Sequence, residues 1–102
     1  MSTDSRPLLI FFRSQQSGPA RRMESLIAHL ARKERSRLRV AAVDVEESPE
    51  ITARFRVGSV PTLVLVKERR TVARLEGRAS APKIDEMLEE HLGPAGRESE
   101  AA

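Results

Sequence analysis

The chain of 102 residues has no cysteine, no tryptophan and no tyrosine, and only three phenylalanines. Without cysteine there is no disulfide, no thiolate nucleophile and no cysteine metal site. The only histidines, His29 and His91, do not stand at metal-ligand spacing. The five glycines are scattered, so no Gly-rich phosphate loop can be drawn and no cofactor is expected. Long apolar runs are missing too. The longest, Leu8–Phe12 and Leu63–Val66, are strand-sized, far short of the roughly 20 residues a membrane helix needs. The first seven residues, Met1 to Pro7, lack the apolar segment of a secretory signal. A cytoplasmic protein with no membrane partner is therefore the expectation.

What is present is charge, unevenly spread. Residues 1–42 hold nine Lys/Arg and three Asp/Glu; residues 43–102 hold nine and twelve, and the whole chain carries +3. Of the 18 basic residues only Lys33, Lys67 and Lys83 are lysine. Arg21, Arg22, Arg32, Lys33, Arg35, Arg37 and Arg39 are available to phosphates, which keeps a nucleic-acid adaptor among the alternatives. Against it, no Trp or Tyr offers a stacking platform, and Phe11, Phe12 and Phe55 read as core. The basic half reads more simply as a solvated face.

The length suits one domain with one core. After the strand Leu8–Phe12, the segment Pro19–Arg35 places Met23, Leu26, Ile27 and Leu30 at i, i+3, i+4 and i+7, an apolar stripe on a helix. Leu38–Val45 reads as a second strand. Pro49 suits the first turn of a short helix that aligns Ile51 with Phe55. Pro61–Val66 and Thr71–Glu76 read as a hairpin closed by Lys67-Glu68-Arg69-Arg70. Ser80 is an N-cap candidate for a last helix with Ile84, Met87, Leu88 and Leu92 as its stripe and Gly93-Pro94 as its stop. Three segments follow: a flexible 1–6, a domain over 7–93 and a disordered tail over 94–102.

Two motifs give this order a meaning. Ser17-Gly18-Pro19-Ala20 opens the first helix, and Val57-Gly58-Ser59-Val60-Pro61-Thr62-Leu63 precedes the hairpin. Together they resemble the thioredoxin family, whose Cys-Gly-Pro-Cys stands at a helix start facing a cis-proline in a Val/Ile-Pro-Thr turn. The resemblance covers about Pro7 to Leu92. It implies a minimal thioredoxin-like α/β fold, β-α-β-α-β-β-α with a four-stranded mixed sheet, lacking the family's first strand and first helix. It also puts Ser17 at the nucleophile position and Ala20 at the resolving position. Neither can exchange with a disulfide.

The family's supporting residues have changed as well. The tryptophan before the first cysteine is Gln16, the buried aspartate of the preceding strand is Phe11, and its lysine neighbour is Ala42. With no thiol to serve, apolar Phe11 and Ala42 are expected to pack better than a buried ion pair. Ser17 is expected to cap the helix, with Pro19 near its first position. A hydrolytic Ser17 would need a base in reach. His29 lies twelve residues along the same helix, about 18 Å away at about 1.5 Å per residue. His91 has no carboxylate placed beside it by any motif.

The resemblance further implies that Val60, before Pro61, pairs its backbone with an extended peptide while Gly77 lines the far side. Gln16 in place of tryptophan, and Arg78 beside Gly77, then favour a polar or acidic peptide. The alternative is that Pro61 only turns the chain into the hairpin. The expectation is a redox-inactive protein with no catalytic residue, acting as a protein-binding, chaperone-like or regulatory module. The candidate contacts are Gln16, Ser17, Val60, Pro61, Gly77 and Arg78. Thiol-disulfide oxidoreduction is the alternative if native cysteines belong at Ser17 or Ala20. Finally, the missing first strand leaves Leu38–Val45 at the sheet edge. Arg37 and Arg39 are expected to guard it, or it pairs with a second copy in a homodimer or with a partner strand.

Overall fold

A computed structural model describes residues 5–93; the expected tail over 94–102, and the Pro94 stop with it, lies outside the described residues. Seven elements follow in order: β1 (Leu8–Arg13), α1 (Gly18–Lys33), β2 (Arg39–Asp44), α2 (Pro49–Arg54), β3 (Thr62–Lys67), β4 (Arg70–Glu76) and α3 (Ala81–Leu92). This is the expected β-α-β-α-β-β-α order, with boundaries moved by one or two residues, as helix and strand ends commonly are.

The strands form one sheet in the order β2-β1-β3-β4. β1 runs parallel to β2 and antiparallel to β3, and β3 pairs antiparallel with β4. Position in the sheet explains the sequence of each strand. β1 and β3 are central and covered on both faces, so Leu9 to Phe12 and Leu63 to Leu65 are unbroken apolar runs with exposures of 3% or less. Alternate residues serve opposite faces. Leu9, Phe11, Leu63 and Leu65 join Met23, Ile27 and Leu30 of α1 and Ile84, Met87 and Leu88 of α3 in the larger core. Ile10, Phe12 and Val64 meet Ile51 and Phe55 on the smaller α2 face. Phe55 is half-buried, its ring 5.8 Å from that of Phe12. Each fully buried Leu, Ile or Phe contributes roughly 1.5–3 kcal/mol of burial free energy, so the helix stripes fix the layers.

The hairpin turn is unusual for its residues. Lys67 pairs with Arg70 around a two-residue loop, and both loop residues have positive φ, 54° at Glu68 and 68° at Arg69. That geometry matches the right-handed twist of the strands, yet neither residue is the Gly or Asn that adopts it most cheaply.

Two arginines, Arg37 of the basic half and Arg74 of β4, are structural. Arg37 Nε meets Glu34 Oε1 at 2.7 Å, and its Nη1 donates to Leu92 O and Gly93 O at 3.1 and 2.9 Å. Glu34 is 4% exposed and is the C-cap of α1, so this contact ties the end of α1 to the end of α3. Arg74 Nη1 donates to Phe55 O at 2.9 Å and its Nη2 to Arg56 O at 3.2 Å, closing the end of α2. Both satisfy carbonyls that a helix end leaves open. The expectation that Arg37 serves as an edge guard or phosphate ligand is corrected by this geometry.

Candidate functional site

The site candidates gather where the strands hand over to loops. Phe12 of β1 pairs with Thr62 of β3, and Thr62 with Glu76 of β4. The link into α1, the Ser59–Pro61 turn and Gly77 therefore all leave the same end of the sheet. Local hydrogen bonds then shape each piece. Ser17 N–H donates to Ser14 O at 3.1 Å, Gln16 N–H to Ser14 Oγ at 3.2 Å, and Ser14 Oγ donates to Glu46 Oε2 at 2.9 Å. The buried Ser14 thus anchors the link and leaves Gln16 exposed.

Ser17 is the N-cap of α1, with φ −98° and ψ 112°, and its Oγ accepts from Ala20 N–H at 3.2 Å. This is the capping bond expected of serine at a helix start. The hydroxyl satisfies a helix amide and has no histidine to activate it, since His29 is exposed on the same helix. Ala20 is 0% exposed, so its methyl is core packing. Phe11 is 1% exposed in the larger core, which accounts for an apolar residue there. Ala42 is a correction: it is exposed on β2, opposite Phe11, and gains nothing from burial.

The Val60–Pro61 peptide bond is cis. Pro61 O accepts from Gly77 N–H at 2.8 Å, and Thr62 Oγ1 donates to Ser59 O at 2.8 Å, so the turn is held on both sides. Gly77 has φ +87°, and a Cβ built there meets nothing within 4 Å. Its glycine is therefore demanded by conformation, not by close approach. Val60 packs its side chain partly against the smaller core, while its N–H and C=O make no backbone hydrogen bond among the described residues.

Arg78 is exposed and opens onto a groove of about 580 Å³. Its floor is Met23 and Leu26; Arg22, Arg78 and Lys83 stand around it, and no acidic residue lines it. The groove runs between the start of α1, at Pro19, and the start of α3, at Ser80. Neither helix has an acidic residue in its first turn. Arg21 and Lys83 occupy those turns instead, against the helix dipoles. Sequence reasoning named Arg22 only as a phosphate contact and did not join it to Lys83 and Arg78, because the two helices come together only in the folded chain.

Among the described residues no group of three His, Asp or Glu could hold a metal ion, and no helix is long and apolar enough to cross a membrane.

A family model for thioredoxin matches residues 1–90. The chain belongs to the thioredoxin family. Thioredoxin-1 of Drosophila melanogaster is 33% identical over 87 residues, 85% of this chain and 80% of that protein. The thioredoxin-like protein slr1139 of Synechocystis is 33% identical over 88 residues, covering 86% and 81%. The crystal structure of Deadhead, a germline-specific thioredoxin of Drosophila melanogaster, superposes with a TM-score of 0.81 at 32% identity, covering 87% of this chain and 84% of that one. Family membership thus stands on most of the chain. The family's cysteines, by contrast, are absent from it.

Proposed function

We propose that this chain is a redox-inactive thioredoxin-family protein that binds an extended, acidic peptide segment across the cis-Pro61 turn and the adjoining groove. The observation that carries this reading is the groove itself, with Arg22, Arg78 and Lys83 around an apolar floor and no carboxylate among its lining residues. A peptide laid along Val60 gains the backbone donor and acceptor left open there, and its acidic side chains meet three cations and two helix starts. Met23 and Leu26 supply apolar contact beneath. The redox-inactive part rests on Ser17 and Ala20. One holds a helix cap and the other is core, and neither can form a mixed disulfide.

Titration of the purified protein with extended peptides of equal length, acidic or basic, tests the binding. The acidic peptide binds at least about tenfold more tightly, about 1.4 kcal/mol, and the advantage shrinks with added salt. Arg78→Glu combined with Arg22→Glu removes that advantage. Equal affinity for acidic and basic peptides defeats the proposal. In a disulfide-reductase assay with a thiol donor, the protein performs no better than a blank; reproducible turnover refutes the redox-inactive part.

A further inference from the structure

β2 is an edge strand among the described residues, with β1 its only strand neighbour. Its odd-numbered residues direct their backbone groups to β1. Arg39 N–H donates to Pro7 O at 2.8 Å and Val45 N–H to Arg13 O at 2.9 Å, with Ala41 and Val43 in register between them. Strand alternation then turns the N–H and C=O of Val40 and Ala42 outward. The flanks are already engaged: Leu38 N–H donates to Glu34 O, and Asp44 O accepts from Glu47 and Ser48. The open stretch therefore centres on Val40 and Ala42.

The stretch carries no guarding residue of its own. Residues 40–43 contain no charge and no proline. Val40 and Ala42 also border a groove of about 290 Å³ whose other walls include Phe11, Ile27, Ala28 and Ala31. Apart from Arg37, which is paired with Glu34, the two ends of the strand carry opposite charge, with Arg35 and Arg39 at its start and Asp44, Glu46 and Glu47 at its finish.

We infer that β2 pairs antiparallel with β2 of a second copy, about a two-fold axis through Ala41, so that two four-stranded sheets become one continuous sheet. The register follows from geometry. Residues directly opposite one another point to the same face, so in a two-fold antiparallel pair their numbers sum to an even value. Centring on Ala41 sets Val40 opposite Ala42 of the second copy, and Ala42 opposite its Val40. Each such pair exchanges both backbone bonds, so the outward groups of both copies are satisfied together. The apolar side chains bordering the two grooves then meet beside the axis. Antiparallel pairing also lays the basic end of each strand along the acidic end of the other, whereas parallel pairing would set like charge against like. A second copy carries this complementarity by construction, which singles it out as the occupant.

Because the chain has no cysteine, a single introduced thiol reports its own position. In the inferred register Ala41 faces itself as a non-hydrogen-bonded pair, about 4.5 Å between Cα atoms, within the roughly 4.4–6.8 Å that a disulfide spans. Val43 lies four residues from its counterpart along the strand, about 13 Å. Under mild oxidation Ala41→Cys forms a covalent dimer at least about tenfold faster than Val43→Cys. In sedimentation equilibrium the wild-type protein shifts with concentration from 11.4 kDa towards twice that mass. Ala42→Pro, which removes only an outward donor, keeps its circular dichroism spectrum and stays monomeric. A wild-type monomer at millimolar concentration overturns the inference. So does equal crosslinking of Ala41→Cys and Val43→Cys, or a folded Ala42→Pro dimer. Should Ala42→Pro fail to fold, the two cysteine variants decide.

Discussion

Two helix starts in this chain share one grammar. Ser17-Gly18-Pro19-Ala20 opens α1 and Ser80-Ala81-Pro82-Lys83 opens α3, each with a serine N-cap and a proline in the first turn. Ser17 Oγ accepts from Ala20 N–H at 3.2 Å and Ser80 Oγ from Lys83 N–H at 3.4 Å. Only the first stands at the position where the thioredoxin family carries its cysteines. Ser80, outside that motif, makes the same kind of capping bond, so capping by itself gives a reason for a serine at Ser17. The starts differ in what lies three residues on. Ala20 is 0% exposed, whereas Lys83 is exposed on the groove. The first start is built into the core and the second is turned to solvent.

Substitution at those equivalent third positions gives the largest expected contrast. Ala20→Lys buries an unpaired charge and lowers stability by at least about 3 kcal/mol, read as a fall in the urea midpoint. Lys83→Ala, at the exposed counterpart, shifts it by no more than about 0.5 kcal/mol. A mild Ala20→Lys would show that the α1 start is not closed core, and the distinction between the two starts would break. The capping serines sharpen the likeness with a smaller effect. Ser17→Ala and Ser80→Ala each cost about 1 kcal/mol, with Ser80 the lesser because its bond is longer and more exposed. If Ser17→Ala left stability unchanged while altering peptide affinity more than tenfold, its hydroxyl would belong to binding and not to the cap.

Much of the fold was legible in the sequence because the signals are local and repeated. The stripe of Met23, Ile27 and Leu30 and that of Ile84, Met87 and Leu88 both end in the larger core. The unbroken apolar runs of β1 and β3 turn out to be the two central strands. Ser17 and Ser80 cap α1 and α3 as read, and Pro19 stands in the first turn of α1. Other features had no local signature. The hairpin turn takes positive φ at Glu68 and Arg69, where composition gives no hint of it. Arg37 looked like surface charge, yet its partners are Leu92 and Gly93, more than fifty residues away. Ala42 looked like core and is exposed, because burial depends on what covers a strand, and β2 is an edge.

By itself the sequence determined the absence of any thiol chemistry in the chain as it stands, the order of elements and which faces of them are apolar. Those follow from residue type and periodicity, which act within a few residues. Tertiary structure decided the rest. It brought Arg22 of α1 and Lys83 of α3 to one groove beside Arg78, and it left the backbone of Val40 and Ala42 open at the rim of the sheet. Both depend on packing between segments distant in the chain. Ser17 and Ser80 read alike, and only the packing around them separates a start whose third residue, Ala20, is buried in the core from one whose third residue, Lys83, is exposed.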